Sequence, residues 1–132
     1  MGFRESLRAH LAGDGTISGL VGERIYPIRL PEGTEGPSAK PALVYMRPGI
    51  NDETDLSSGD GSLQRVRVQV DAWASSAEVA NQLGELVRVR MQSATVAANS
   101  FVLGAAFGQD DYDFEAKLFR YMNDFTVWYR TS

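Results

Sequence analysis

The sequence predicts an α+β fold, with a single, mostly antiparallel β-sheet of about five strands and two main helices packed on one face. Residues 65–73 alternate between apolar and mostly polar side chains with a strict period of two, as in a strand with one buried face. Residues 80–91 carry an apolar stripe at helical spacing, formed by Ala80, Leu83, Val87 and Met91. The other strand-like segments have hairpin-like connections, which favour antiparallel pairing.

The first element is an amphipathic helix. Phe3, Leu7 and Leu11 recur every four residues, with charged side chains between them. Gly13 is the expected end of this helix, because glycine readily adopts the backbone conformation that follows a last helical turn. A turn at residues 14–15 then separates the helix from the next element.

The middle of the chain alternates between short ordered elements and polar loops. One short helical turn over 17–21 precedes a short strand at 25–26, and a second strand covers 42–47. The segments 31–41 and 48–62 contain proline, glycine and acidic residues without apolar periodicity. We expect both segments to be surface loops.

The second half begins with the main helix and continues with two strands. Ser75 and Ser76 are candidate caps for this helix, which we expect to end near Ser93. A strand at 101–107, interrupted by a glycine, and a last strand at 118–130 follow. Asn123 is a polar residue on the aromatic face of the last strand, where it indicates a bulge or a contact with a partner.

The composition indicates one globular domain over residues 1–132. The net charge of −4 argues against non-specific nucleic-acid binding, which requires a basic surface. The chain contains no cysteine, so disulfides and thiolate metal sites are excluded. No segment approaches the roughly 20 apolar residues of a membrane span, and the charged N-terminal segment is unlike a signal peptide.

The single histidine, His10, is the first candidate for chemistry. It lies beside the apolar stripe of the first helix, and Ser6 is on a different helix face. A general base needs a positioned nucleophile within hydrogen-bond reach, so the sequence does not favour catalysis at His10.

An acidic cluster precedes the last strand and consists of Asp110, Asp111, Asp113 and Glu115. In an extended chain the last three would share one side and form a possible site for a hard cation. The alternative is a solvated turn that keeps an aromatic strand soluble. The sequence favours the turn because the calcium-loop pattern is missing.

Two further patterns are weaker still. The glycines around Asp60 lack the lysine and hydroxyl residues of a phosphate-binding loop. Arg65, Arg67, Arg88 and Arg90 would form a basic patch if strand and helix approached each other, but in an acidic chain we expect them to pair with carboxylates. The sequence therefore predicts no catalytic, cofactor-binding or metal-binding residues and no enzyme activity.

Five segments together resemble the tail-completion proteins of tailed phages, also called tail terminators or neck proteins. They are LVGERIYP at 20–27, PALVY at 41–45, RVQVDAWA at 67–74, LFR at 118–120 and DFTVWY at 124–129. They span nearly the whole chain in the order and spacing of the family. The long acidic loop around 50–61 and the polar residue Asn123 depart from the family pattern.

The resemblance implies a small α+β subunit that forms a ring, typically a hexamer, at the head-proximal end of the tail tube. Such a ring stops tube polymerisation and contacts the head–tail connector, while genome DNA passes through its lumen without specific binding. The resemblance implies no catalytic residues, no cofactor and no membrane association. It places the protein in the virion tail after synthesis in the cytoplasm of the bacterial host.

Other functions remain open at this point. One is another tail or neck subunit, such as a tail-tube, connector or minor tail protein. Another is a small cytoplasmic ligand-binding domain or enzyme, for which the sequence offers few convergent polar groups. For the ring, we expect the loops at 31–41 and 48–62 to contact neighbouring subunits, tube or connector. We also expect carboxylates at 52–60 and 110–115 to line a lumen that repels DNA phosphates.

Overall fold

The computed structural model describes residues 3–31, 39–46, 53–54, 63–92 and 101–130. Its elements, in chain order, are α1 (Phe3–Ala12), α2 (Gly15–Val21), β1 (Ile25–Pro27), β2 (Ala42–Met46), β3 (Glu53–Thr54), β4 (Leu63–Ala74), α3 (Ala77–Gln92), β5 (Phe101–Asp113) and β6 (Leu118–Arg130). The predicted α+β class is confirmed. The predicted loops 31–41 and 48–62 lie largely outside the described residues.

The strands form a single sheet in the order β1-β2-β4-β6-β5, and the two-residue strand β3 pairs with β4. Every pair is antiparallel except β1 and β2, which run parallel. Strands β4 and β6 form the centre of the sheet, with a continuous register from Leu63 opposite Arg130 to Ala74 opposite Phe119. Strands β1 and β5 are therefore the two edges of this described sheet.

The core lies between the helices and one face of the sheet, as predicted. The apolar stripe of α3 and the inward-facing residues of β4 and β6 are buried together. Helices α1 and α2 add Leu7, Leu11, Ile17 and Val21, each with 0% exposure. Because every helix in the described residues contributes to this cluster, the opposite face of the sheet carries no helix.

Local capping sets the helix boundaries. The carboxylate oxygen Oδ1 of Asp14 accepts hydrogen bonds from the backbone N–H groups of Thr16 and Ile17, at 2.8 Å and 3.1 Å. Asp14 is thus the N-cap of α2, and the predicted turn at 14–15 is the start of this helix. Ser76 caps α3 in the same way, since its hydroxyl oxygen accepts from the backbone N–H of Val79 at 3.2 Å.

Strand β5 is longer than predicted, because it continues through the acidic residues to Asp113. Its register with β6 is unbroken from Ala105 to Asp113, and a bulge occurs between Leu103 and Ala105. Charged residues are compatible with an edge strand, where one side of the strand remains open to water. The bulge lies at the glycine that interrupts the predicted strand, and Asn123 occupies a regular position of β6.

Candidate functional site

A groove lies on the face of the sheet opposite the helices. Its volume is about 390 Å³. One wall is the segment 28–31 after β1, the other is the start and end of the β5–β6 turn, and the floor comes from β2, β4 and β6. The lining residues are Ile28, Arg29, Leu30, Pro31, Val44, Met46, Asp71, Trp73, Asp113, Ala116 and Arg120.

The floor of the groove contains a tryptophan with an unpaired polar group. Trp73 is 9% exposed and packs in a small apolar cluster with Val44 and Leu118. Within the described residues its indole nitrogen Nε1 has no hydrogen-bond acceptor. The guanidinium carbon Cζ of Arg120 lies 4.9 Å from the centroid of the indole ring, in cation–π contact.

Arg120 also joins two carboxylates. Its Nη1 lies 3.6 Å from Oδ2 of Asp71, and its Nη2 and Nε both donate to Oδ2 of Asp111, Nε at 3.1 Å. The side chain of Asp71 is 1% exposed and also accepts from Nε2 of Gln69 at 2.9 Å and 3.1 Å. The buried carboxylate of Asp71 therefore has both a hydrogen-bond donor, Gln69, and an ion-pair partner, Arg120.

These contacts have opposite effects on the two carboxylates. Burial raises the pKa of Asp71 to about 6, and the hydrogen bond from Gln69 and the charge of Arg120 only partly oppose this. The hydrogen bonds from Arg120 lower the pKa of Asp111. The arrangement holds Asp71 and Asp111 against Arg120, and the described residues that line the groove include no serine, threonine or histidine.

Ile28, on the rim of the groove, has an unfavourable backbone conformation. Its φ angle is 73°, in the left-handed region that β-branched residues rarely adopt. Its backbone N–H donates to the carbonyl oxygen of Tyr45 at 2.9 Å, which holds the segment against β2. The side chain is 56% exposed, so burial of that side chain offers little compensation for the strain. Strain of this kind is concentrated at functional positions.

His10 lies outside the groove, between two helices. Its Nε2 lies 2.8 Å from the carbonyl oxygen of Arg90, and Nε of Arg90 donates to the carbonyl oxygen of His10 at 2.8 Å. Burial lowers the pKa of His10. The histidine therefore links α1 to α3, which is a structural role within the subunit.

The acidic cluster is divided between separate contacts. Asp111 is bound by Arg120, whereas Oδ1 of Asp113 accepts from the backbone N–H groups of Glu115 and Ala116 at 3.0 Å and 2.9 Å. These two bonds organise the β5–β6 turn. Among the described residues, no group of acidic or histidine side chains is arranged to hold a metal ion.

Three of the four arginines, Arg67, Arg88 and Arg90, each have a separate partner in the structure. Arg67 pairs with Asp124 at 2.5 Å and Arg88 pairs with Glu85 at 2.9 Å, as expected for arginines in an acidic chain. Arg90 instead contacts the backbone of α1. The side chain of Arg65 and the residues around Asp60 lie outside the described part.

Sequence reasoning missed the groove residues. Asp71 and Trp73 alternate with the core positions of β4, which predicts a polar face for them, and the structure places them on that face. Their burial comes from the segment 28–31 and the β5–β6 turn, both distant in sequence. The sequence did contain one sign of this burial, because a tryptophan is unusual on a strand face that is otherwise polar.

The described helices include none that is both long and apolar enough to cross a membrane. Among the described residues, one face of the sheet carries no helix and has a mainly apolar groove, a feature found at protein–protein contact surfaces of small α+β subunits.

The family model described as Tail completion protein gp17 matches residues 5–130. The chain belongs to this family, as the resemblance predicted. It is a structural protein of the phage tail, located in the virion, where it assembles with other structural proteins. Among curated proteins, none matches the chain significantly.

A solved structure has a similar fold. A chain of the structure entitled "Virion of native gene transfer agent (GTA) particle" matches with a TM-score of 0.63. The match covers 96% of this chain and 93% of that chain, at 18% sequence identity. At this identity the similarity establishes a shared fold.

Proposed function

We propose that the protein forms a homo-oligomeric ring, a hexamer, at the head-proximal end of the tail tube. The ring ends tube polymerisation and forms the interface with the head–tail connector. The observation that carries this proposal is the family match over residues 5–130, in a family named for tail completion.

The distribution of exposed apolar residues supports a ring. A closed ring is built from head-to-tail contacts, in which two different surfaces of the subunit meet. Ile28 follows edge strand β1, whereas Phe107 lies in edge strand β5 at the other side of the sheet; they are 56% and 66% exposed. Phe114, in the β5–β6 turn, is 83% exposed. Two separate sides of the subunit therefore carry apolar side chains available for contact.

The charge of the chain supports passage of DNA through the ring. A net charge of −4 disfavours adhesion of a phosphate backbone, and Asp110 and Glu115 expose carboxylates at one side of the sheet. We place this side toward the lumen, so that the genome slides past without specific binding. The carboxylates of 52–60 were expected at the same lumen; Glu53 lies opposite Arg65, at the end of β4 away from the β5–β6 turn, and most of 52–60 lies outside the described part.

The proposed role is structural over residues 1–132 as one domain, without catalysis, metal or cofactor. In this proposal Asp71 and Asp111, which both contact Arg120, are structural carboxylates. Their function in this proposal is to hold the strand ends that shape the groove.

The test measures the mass of the purified full chain, alone and with its cognate tail-tube protein. Six copies of the 14.5 kDa chain give about 87 kDa. Tube lengths are measured by electron microscopy during polymerisation, with and without the chain. Assembly of that mass on tube ends, together with arrested growth, is the expected result. A chain that neither binds tubes nor limits their length would contradict the terminator and return attention to another neck subunit or a ligand-binding protein.

A further inference from the structure

Four cations surround edge strand β1, although the chain as a whole has a net charge of −4. Two of them are arginines held against the strand. One donates from Nε to the carbonyl oxygen of Ile25 at 3.3 Å, and the other from Nε to the carbonyl oxygen of Pro41, directly before β2, at 2.8 Å. The other two cations are exposed, one of them two residues after β1 and the other two residues before β2. We call this group the β1 patch; it consists of Arg8, Arg24, Arg29 and Lys40.

The β1 patch has no carboxylate partner among the described residues. The ion pairs found there use other arginines, which are Arg67, Arg88 and Arg120. The two arginines held against β1 donate to backbone carbonyl oxygens instead. Glu23 is exposed beside the patch, so four positive groups and one negative group give this surface a net charge of +3. Positive charge concentrated in this way favours an acidic partner.

The backbone of β1 limits how a partner can bind there. Arg24 and Ile28, on either side of β1, both form backbone hydrogen bonds to β2 or its residues. Alternate residues of a strand bond to the same neighbour, so Ile25 and Pro27 direct their backbone groups away from β2.

These outward-facing backbone groups are already satisfied. The N–H of Ile25 donates to the carbonyl oxygen of Glu23 at 2.8 Å, and its own carbonyl oxygen accepts from Arg8. Pro27 has no N–H, and its carbonyl oxygen accepts from the N–H of Arg29 at 2.8 Å. Strand addition at β1 is therefore blocked, and a partner binds this surface through side chains.

The chain carries a matching acidic segment between β2 and β4. It covers residues 48–62, contains no lysine or arginine, and has four carboxylates: Asp52, Glu53, Asp55 and Asp60. In its described part, Glu53 lies opposite Arg65 of β4. That position is five residues along β4 from Val70, which is level with Pro27 across β2, a separation of about 17 Å at strand spacing. The described part of the acidic segment is therefore at a different place on the subunit from the β1 patch.

We propose that the β1 patch of one copy binds the acidic segment 48–62 of a neighbouring copy. Charge complementarity selects this occupant, because four carboxylates without a cation meet a surface with a net charge of +3. The inference rests on the proposed ring and specifies its subunit contact. Two different surfaces meet, so the contact is head-to-tail, as a ring requires. It assigns the carboxylates of 52–60 to this contact and leaves those of the β5–β6 turn for the lumen.

Charge reversal in the full chain tests the contact. The patch variant carries Arg29→Glu and Lys40→Glu, at two exposed positions. The segment variant carries Asp55→Lys and Asp60→Lys. Association is measured by analytical ultracentrifugation for each variant alone and for their equimolar mixture, with and without tail tubes.

The matched control carries Arg88→Glu and Lys117→Glu. It changes the net charge by the same amount as the patch variant, but at exposed positions on α3 and in the β5–β6 turn. Circular dichroism checks that every variant is folded.

Each variant alone should associate about tenfold or more weakly than the wild type, because like charges then face each other. The mixture should regain the wild-type mass, since each reversed surface meets its complement on the other chain. A ring of six closes when the two variants alternate. A chain with all four reversals should also associate, because its two surfaces are again complementary. The control should associate like the wild type.

The outcomes separate this contact from the ring. A hexamer that forms equally well from both variants would overturn the contact and leave the ring intact. Rescue in the mixture that yields a product other than a closed ring would support the contact and overturn the ring. A chain that stays monomeric with and without tubes would overturn both.

Other occupants of the β1 patch would give different results. A patch variant that loses tube binding and is not rescued by the segment variant would assign the patch to the tube protein. A DNA duplex retarded by the wild type but not by the patch variant, with unchanged association, would assign it to phosphates. Either result would overturn the contact between copies.

Discussion

The side-chain nitrogen Nδ2 of Asn123 donates a hydrogen bond to the carbonyl oxygen of Gly84 at 3.0 Å. This bond joins the centre of β6 to the middle of α3 in a part of the core with no access to water, since Asn123 is 0% exposed. Tyr121, two residues earlier, packs directly over Gly84. Together these contacts set the closest approach of the helix to the sheet.

Gly84→Ala should destabilise the subunit. The added Cβ would lie 2.8 Å from Cβ of Tyr121, an atom that no rotamer change can move away. Overpacking costs about 1–3 kcal/mol and the helix-propensity gain is about 1 kcal/mol, so we expect a net loss of up to about 2 kcal/mol. Denaturant unfolding measures this change in the free energy of unfolding.

Gly19→Ala is the control, because its Cβ meets no atom within 4 Å, and it should stabilise the subunit by about 0.5–1 kcal/mol. Equal effects of the two substitutions would contradict the close packing at Gly84.

Two substitutions of Asn123 distinguish the cost of burying a charge from the cost of losing a hydrogen bond. Asn123→Asp should cost about 3 kcal/mol or more at neutral pH, because it places an unpaired carboxylate in the core. Asn123→Leu should change the free energy of unfolding by less than about 1 kcal/mol, since it removes both the bonded Nδ2 and the partnerless buried Oδ1. Comparable losses for the two variants would show that the hydrogen bond to Gly84, and not burial, dominates at this position.

Local periodicity predicted the core well and the groove poorly. The alternation in β4 and the stripe of α3 depend on neighbouring residues along one element, and both are buried as expected. Asn123 was recognised as a polar residue on an apolar face, but its partner Gly84 lies 39 residues away in sequence. The burial of Asp71 and Trp73 likewise depends on segments that cross over the sheet from elsewhere. Burial by segments distant in sequence leaves no periodic pattern in the sequence of the strand that they cover.

The contribution of the buried Asp71 carboxylate to the free energy of unfolding should fall as pH rises, whereas that of an ion-paired carboxylate with a lowered pKa would increase. Burial raises its pKa from 3.8 to about 6, so the folded state retains a proton that the unfolded chain releases between these pH values. The contribution of Asp71 to stability therefore falls as pH rises through this window, by about 3 kcal/mol, and is constant above it. Unfolding free energies of wild type minus Asp71→Asn, measured from pH 4 to 8, should show this decline.

Glu85 provides a control of opposite sign for the Asp71 experiment. The hydrogen bond from Arg88 lowers the pKa of Glu85, so its contribution is present above the unfolded pKa and is lost as the solution becomes more acidic. Wild type minus Glu85→Gln should thus increase with pH up to the unfolded value of 4.5 and stay constant above it, whereas wild type minus Asp71→Asn decreases between 3.8 and about 6. A flat difference for Asp71→Asn would mean that Asp71 is ionised in the fold across the whole range.

Ile28 should show a conflict between subunit stability and assembly. Ile28→Asn replaces a β-branched residue at φ 73° with one that tolerates the left-handed region, so the isolated subunit should gain about 1 kcal/mol. Little burial is lost, because the side chain is 56% exposed. Ile28→Val keeps the β-branch and should leave the stability of the isolated subunit within about 0.5 kcal/mol. The same Ile28→Asn chain should assemble more weakly on tube ends than Ile28→Val, since in the proposed ring one contact side loses its exposed apolar side chain. Thermal unfolding and tube-capping titrations measure the two effects. If Ile28→Asn were no more stable than Ile28→Val, or if it capped tubes equally well, the strained isoleucine would have no role in assembly.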